Sequence, residues 1–512
     1  MSEILNYILV AFSPINLLFA LIGTVIGITV GALPGFTPTM GIAVLIPLTY
    51  TMEPASALVF LGAIYCGSMF GGSISAILIN TPGTSAAAAT AMDGHAMTQK
   101  GKAHGALVEA SVASFWGGII SVLALIFLAP PLARFAFQFG PQERFMMALF
   151  GLTIIASLST KDVIKGLMMG CVGLVVACIG MDPMLGSPRF TFKNTYLMGG
   201  ITMIPTVIGL FSVSQIFSTL KDPVKLADKD MIAQFREAKI SWKDLVRYPV
   251  TYLRSAVIGV VVGIIPGTGG DVASYVSHNV GRAFSKEEDF GHGAREGVAC
   301  CEAANNAVTG GSLIPTLTLG IPGESVTAIL MGGLIMKGLQ PGRMLFNEEN
   351  AIVTYTFFAG FVLVQFFMLG IGLLGCRGFA QISRLSDAIL IPCVSVLCVI
   401  GAFAIHRNMV DVYIMLIFGV LGYLMRKLDL NTAAVVLALI LGPIGEKNLL
   451  KALTISKGSV GILFQSTVSW VLIALCVVGI LSPIFMAKME KKATEEAAKV
   501  DDVEALTEED SV

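Results

Sequence analysis

The chain has 512 residues, 55% of them hydrophobic and only 13% charged, where a typical soluble domain carries about 25% charged residues. Half that complement cannot cover a water-facing surface, so a soluble globular protein is excluded and hydrocarbon is the main solvent. The net charge of −1 leaves no basic field that would suggest nucleic acid, and the nine cysteines, mostly inside apolar runs without CxxC or metal spacing, read as small buried hydrophobes.

No positive charge precedes Lys100. The first apolar segment lacks a basic n-region and is followed by more membrane sequence, so no cleavable signal peptide is expected, and the N-terminus is placed outside the cytoplasm. Leu17–Leu33, Ala106–Leu132, Val163–Met181, Thr354–Gly375 and Val460–Met486 are clear candidate spans. Weaker runs bring the expected total to about eleven to thirteen, an all-α polytopic membrane protein. Seven Lys and Arg residues in Lys221–Arg247 place that linker in the cytoplasm. The expected organisation is a first membrane repeat at 1–220, the charged linker at 221–250, a second repeat at 251–487 and a charged cytoplasmic tail at 488–512. The tail is expected to be disordered where it turns acidic.

Two strings recur in the same order. GITVGALPG (Gly27–Gly35) returns 232 positions later as GVVVGIIPG (Gly259–Gly267), and GGSISAILINTPGTS (Gly71–Ser85) returns as GGSLIPTLTLGIPGES (Gly310–Ser325). The chain reads as an internal duplication. An outside N-terminus and an inside linker give the first half an odd number of crossings, so the second half would be inserted upside down. Inverted repeats with interrupted helices characterise secondary transporters; parallel repeats are the alternative.

Pro34-Gly35, Pro82-Gly83, Pro266-Gly267 and Pro322-Gly323 should break their segments into half-helices, because proline removes a donor and glycine admits other conformations. Such backbone survives at membrane depth only against protein or a water-filled cavity. Helices that restart after a break present N–H groups suited to an anion. Thr37, Ser73, Asn80, Thr81, Thr84 and Ser85 lie around the first pair of breaks, and Thr268, Gly269, Gly270, Asn305 and Asn306 around the second. With the Pro-Gly pairs they form the candidate substrate site, since hydroxyls and amides can bond a carboxylate; helix–helix packing is the competing reading. Asp271, Glu302 and Glu324 are the candidate ion-coupling residues, because ionisable groups in apolar stretches are costly. Each could take a proton or Na⁺, or pair with Arg282 or Arg295, and Glu324 could instead cap its half-helix. His278 and Asp93 are placed near a membrane face and given no role.

Enzyme readings are weak. Gly267-Thr268-Gly269-Gly270-Asp271-Val272 lacks the last glycine of GxGxxG, Gly94–Lys102 has the wrong spacing for a phosphate loop, and Gly71–Ser75 misses GxSxG. No cluster has zinc spacing, so no metal site and no organic cofactor are expected. An ion channel would need a continuous polar pore, which two matched sets of helix breaks fit less well than alternating access.

The strings FGGSISAILINTPGTSAAAAT, IPGTGGDVASY, EGVACCEAANNAVTGGSLIPTLTLGIPGE and ILMGGLIMKGLQPG resemble the large membrane subunit of bacterial tripartite tricarboxylate transporters. The resemblance is densest from Gly23 to Arg343. It implies a permease of the bacterial inner membrane that takes up citrate or another organic carboxylate by secondary transport, with Na⁺ or H⁺ as coupling ion. It also implies two partners, a small four-helix membrane subunit and a periplasmic substrate-binding protein.

Overall fold

The computed structural model describes residues 2–158, 163–182, 184, 186–221, 241–382, 385 and 387–480. The charged segment 222–240 and the tail 488–512 lie outside them. Among the described residues the chain is almost wholly helical, with one antiparallel pair of short strands, β1 (Gly180–Met181) and β2 (Pro188–Arg189). Eight helices are long and apolar enough to cross a bilayer, and five shorter apolar helices accompany them. This is the all-α polytopic class expected from composition.

In chain order the helices are α1 (Ser2–Ala11), α2 (Pro14–Ala32), α3 (Pro38–Leu45), α4 (Pro54–Ile79), α5 (Ala87–Gln99), α6 (Ala103–Ala136), α7 (Pro141–Leu158), α8 (Val163–Ala177) and α9 (Met203–Lys221). They continue with α10 (Pro249–Ile264), α11 (Gly269–Phe284), α12 (Arg295–Leu319), α13 (Ser325–Met336), α14 (Ala351–Ile382), α15 (Asp387–His406), α16 (Met409–Lys427), α17 (Thr432–Ile455) and α18 (Thr467–Ile480). The chain divides into two compact units, Met1–Phe139 with Phe190–Leu428 and Gly140–Arg189 with Asp429–Val512. Each unit draws on both halves of the sequence.

Inside the first unit the duplication is a series of five helices. The series α2 to α6 is matched by α10 to α14, and in each the Pro-Gly pairs separate the first helix from the second and the third from the fourth. Proline sits in the first turn of α2, α3, α4 and α10, where its missing N–H costs nothing. The first and third helices of each series pack through small residues. Gly27 lets α2 reach α4 so closely that a Cβ there would lie 2.6 Å from the Ile64 carbonyl, and Gly259 on α10 meets the Ala304 carbonyl of α12 in the same way. Small residues at four-residue spacing allow such approach, and van der Waals contact then replaces a hydrophobic force that lipid does not supply.

The fifth helices cross over. α6 packs along α12 and α10 of the other series, and α14 along α4 and α2. Gly117 of α6 lies against the Ala303 backbone, and a Cβ on Gly118 would meet the amide of Gln365 on α14. The repeats are therefore interlocked rather than side by side.

In the second unit α17 is packed by both α7 and α8: Gly151 faces Leu441, and a Cβ on Gly173 would lie 2.6 Å from the Val435 carbonyl. Arg189 forks onto Glu446 of α17 at 2.5 and 3.1 Å and reaches Asp182 at 3.5 Å, which ties the strand pair to that helix.

If the glycine contacts set helix spacing, Gly27→Ala and Gly259→Ala should each destabilise the protein by about 1–3 kcal/mol, the usual range for overpacking. Gly105→Ala, where the added Cβ finds only Met97 Cε at 3.8 Å, should hold or raise the melting temperature. Thermal unfolding of the three variants in detergent separates these outcomes, and equal melting of all three would contradict the argument.

Candidate functional site

The Pro-Gly breaks open their helices in two recurring ways. Leu33 and Ile265 end α2 and α10 with extended backbone, ψ 118° and 111°, and donate back to Val30 and Val262. After Pro34 and Pro266, Gly35 and Gly267 take φ values of 82° and 84°, a left-handed turn that suits glycine. The second break of each series starts from a left-handed cap, Asn80 at φ 52° and Gly320 at φ 71°. A Cβ on Gly83 would run into the Gly31 carbonyl, and one on Gly323 would lie 2.8 Å from the Gly263 carbonyl. Freed backbone groups find partners in protein: Gly83 N–H donates to the Gly72 carbonyl at 3.2 Å, and Gly267 N–H to the Gly323 carbonyl at 2.7 Å.

The half-helices pair across the repeats, α3 with α13 and α5 with α11. Thr39 Oγ1 lies 3.5 Å from Ser325 Oγ. A Cβ on Gly270 would lie 3.2 Å from Ala86 Cβ. The first break of each series thus faces the second break of the other, and all four come together.

Between them runs a polar seam. α12 turns Glu302, Asn305, Asn306, Thr309 and Ser312 to one face, all wholly buried. Against it α4 sets Tyr65, Cys66, Met69 and Ser73. The Tyr65 hydroxyl bonds Ser312 Oγ at 3.0 Å and donates to the Glu324 carboxylate, so it bridges the two repeats. Cys66 Sγ lies 3.4 Å from Asn306 Oδ1 and 3.2 Å from Gln365 Oε1. Asn305 Nδ2 donates to the Met69 carbonyl at 3.3 Å. Asn305 Oδ1, Asn306 Nδ2 and Gln365 Nε2 are buried without a hydrogen-bond partner.

At the end of the seam three hydroxyls enclose Glu302. Ser73 and Thr90 each donate to Oε1 at 2.5 Å, and Ser114 donates to Oε2 at 3.0 Å. Other buried hydroxyls bond back to their own helix, as Ser68, Ser111, Thr316 and Thr318 do. The three around Glu302 turn away from theirs. Arg295 does not meet Glu302: it binds Glu109 at 2.6 Å and Asp244 at 3.1 Å, while Tyr252 donates to Glu109 at 2.6 Å.

Other expected site residues have local work. Thr37 Oγ1 caps α3 by accepting from Met40 N–H at 3.3 Å, Thr84 Oγ1 accepts from Ala87 N–H at 3.2 Å, and Thr81 Oγ1 donates to the Ile79 carbonyl at 3.3 Å. Thr268 Oγ1 donates to the Val262 and Ile265 carbonyls at 2.6 and 2.8 Å. Asn80 and Ser85 are exposed, Pro82 is half-buried, and Pro322 is buried. Asp271 is half-buried beside the start of α11. Glu324 is the residue before α13, and its backbone N–H donates to Thr327 Oγ1 at 3.1 Å.

Asp93 and His278 carry a contact that sequence placed near a membrane face without a role. Asp93 is wholly buried; its Oδ1 accepts from Gly291, Gly293 and Ala294 N–H at 2.8–2.9 Å, and its Oδ2 lies 2.8 Å from His278 Nε2. Nearby is a cleft of about 490 Å³ lined by residues that include Lys102, Arg247, Tyr248, Glu287 and Asp289. Two of its charges are paired with residues outside the lining: Lys100 pairs with Asp289 at 3.0 Å and holds that carboxyl below its ordinary range, and Asp244 pairs with Arg247 at 3.3 Å.

The family model described as "Tripartite tricarboxylate transporter TctA family" matches residues 17–437. A protein of Agrobacterium vitis described as "Uncharacterized 52.8 kDa protein in TAR-I ttuC' 3'region" is 36% identical over 495 residues, covering 95% of this chain and 97% of that protein. A second one of that organism, "Uncharacterized protein in TAR-II ttuC' 3'region", is 32% identical over 246 residues, 46% of this chain and all of that protein. No solved structure matches the chain.

Removing one partner of a buried, hydrogen-bonded charge typically costs about 3–5 kcal/mol. Asp93→Ala should therefore lower stability by roughly that amount, and should make the loop 285–294 a proteolytic cleavage site in detergent. His278→Ala, which leaves the three backbone donors in place, should cost clearly less. A loop equally resistant in wild type and Asp93→Ala would show that the Asp93 contacts do not hold it.

Proposed function

The chain belongs to the tripartite tricarboxylate transporter TctA family, and from that premise we propose that it is the large permease subunit of a binding-protein-dependent secondary transporter. Its substrates are tricarboxylates or dicarboxylates such as citrate, imported across the bacterial inner membrane on a Na⁺ or H⁺ gradient. Its partners are a small four-helix membrane subunit and a periplasmic substrate-binding protein.

One observation carries the reading: the four Pro-Gly breaks meet, each against a break of the other repeat. Secondary transporters bind substrate and coupling ion where discontinuous helices of two repeats meet. The N–H groups at the starts of α5 and α13 suit carboxylate oxygens, and the unpaired amide nitrogens of Asn306 and Gln365 add neutral donors. Asp271, Glu302 and Glu324 are the acidic residues of the region, and they are proposed to serve the coupling ion. The seam between α4 and α12 supports a site shared by both repeats, and the repeats are proposed to be inserted in opposite senses.

The function is tested by uptake of radiolabelled citrate and other di- and tricarboxylates into proteoliposomes holding the chain with both partners. Uptake should rise severalfold with an inward Na⁺ or H⁺ gradient and fall when that gradient is dissipated. Glu324→Gln keeps the shape and removes the charge, so it should alter ion dependence more than the substrate KM. No uptake of any such acid, or uptake indifferent to both gradients, contradicts the proposal.

Topology has its own check. Cysteines introduced near the N-terminus and in Lys221–Arg247 should be labelled from opposite sides of the membrane. Labelling from one side overturns the inverted arrangement.

A further inference from the structure

Oxygen atoms from three places in the chain lie against the backbone of Gly269 and Gly270, where α11 begins. A Cβ on Gly269 would lie 2.7 Å from Asp271 Oδ1 and 3.5 Å from Glu324 Oε2, and a Cβ on Gly270 would lie 2.8 Å from Asn305 Oδ1. Asn305 is wholly buried. Its nitrogen is committed to the Met69 carbonyl at 3.3 Å, which turns its oxygen toward the glycines, and that oxygen has no hydrogen-bond partner. Met69 Cε and Ala86 Cβ close the same space at 2.9 and 3.2 Å from the Gly270 Cβ position.

The two glycines are small for different reasons. Gly269 has φ 71°, a backbone that side chains rarely adopt. Gly270 is not in that region, so its backbone would admit any residue. What it does not admit is an atom between its own Cα and Asn305 Oδ1.

The charges do not balance. Ionised together, Asp271 and Glu324 would bring two negative charges, whereas the N-terminus of α11 offers the equivalent of about half a positive charge. The donors to Glu324, the Tyr65 hydroxyl and Gly270 N–H, are neutral. Among the described residues no Lys, Arg or His pairs with either carboxylate. A proton would neutralise one carboxylate but cannot reside on the amide oxygen of Asn305, which is not a base at physiological pH. A small hard cation accepts lone pairs from all three oxygens at once.

We propose that Gly269 and Gly270 form the cradle of a monovalent cation site, taking Na⁺, with Asn305 Oδ1, Asp271 and Glu324 as its side-chain ligands. The proposal rests on the cation-coupled reading of function above, and it moves Asn305 from the substrate to the ion. It also explains why a buried amide is held with its donor satisfied and its acceptor bare.

The test is Na⁺ binding to the purified full-length chain in detergent, by ²²Na⁺ binding or calorimetry without any carboxylate. Wild type should bind Na⁺ saturably. Gly270→Ala and Asn305→Leu should each weaken affinity at least tenfold, while Ser277→Ala, whose hydroxyl donates to the Cys300 carbonyl, should not. Asn305→Asp keeps the volume and adds charge, so it should bind Na⁺ more tightly; if the other variants are not recovered folded, unchanged affinity in this one overturns the site. Equal binding by wild type, Gly270→Ala and Asn305→Leu also overturns it. Should wild type bind no Na⁺ yet drive carboxylate uptake on a pH gradient, the cation site falls and the transport reading stands. Should Na⁺ bind as expected with no carboxylate transported, the cation site stands and the transport reading falls.

Discussion

The structure depends on one constraint: backbone that leaves the helix inside an apolar medium has to find its hydrogen bonds in protein. Four breaks free donors and acceptors where lipid supplies none. They are met by other parts of the same repeat, Gly83 N–H by the Gly72 carbonyl and Gly267 N–H by the Gly323 carbonyl. Gly323 N–H reaches Thr316 Oγ1 at 3.3 Å. Such bonds require backbones to approach within contact distance, and this is what the glycines of α2, α4, α10 and α12 permit. The close helix packing and the breaks are one requirement seen at two scales.

That same closeness explains the contrast between satisfied and unsatisfied polar groups. Most buried hydroxyls return a hydrogen bond to their own helix, the lowest-cost solution in hydrocarbon. The seam where the two repeats face each other holds a group of residues that do not: three hydroxyls on Glu302, one on Glu324, and amides with one end bare. A buried polar group left unpaired costs about 1–3 kcal/mol. Several of them in one seam are hard to reconcile with packing alone, because an apolar seam of the same shape would be more stable.

The breaks and the duplication were legible in sequence because proline and glycine act locally and the two strings recur in order. The membrane class followed from charge content alone. What could not be read was partnership. Tyr65 and Cys66 sit in an apolar run and look like packing residues until Glu324 and Asn306, more than 200 positions away, come against them. Gln365 is an amide inside an otherwise apolar span, a signal with no helix break beside it. Arg295 was a plausible partner for Glu302 by proximity in sequence, yet seven residues are about two turns, roughly 10 Å along the helix axis, which sets the two side chains among different neighbours, and Glu109 took the arginine. Asp93 and His278 fell outside the motifs, and only the fold shows that they hold α5, α11 and the loop before α12 together.

The crossing of α6 and α14 limits how a protein of this build can move. Rocking one repeat as a body against the other would drag α6 along α12 where Gly117 meets the Ala303 backbone and where a Cβ on Gly310 would lie 2.6 Å from the Ser121 backbone. Contacts without intervening side chains do not slide gradually, because packed interiors switch between discrete arrangements. The half-helix pairs differ. α3 with α13 and α5 with α11 meet through Thr39 and Ser325 at 3.5 Å and through Ala86 beside Gly270, side chains at the tips of the breaks. The breaks also uncouple each half-helix from the long helix before it. If the chain transports as proposed, this geometry favours movement at the half-helices, with α4, α6, α12 and α14 as the frame against which they would shift.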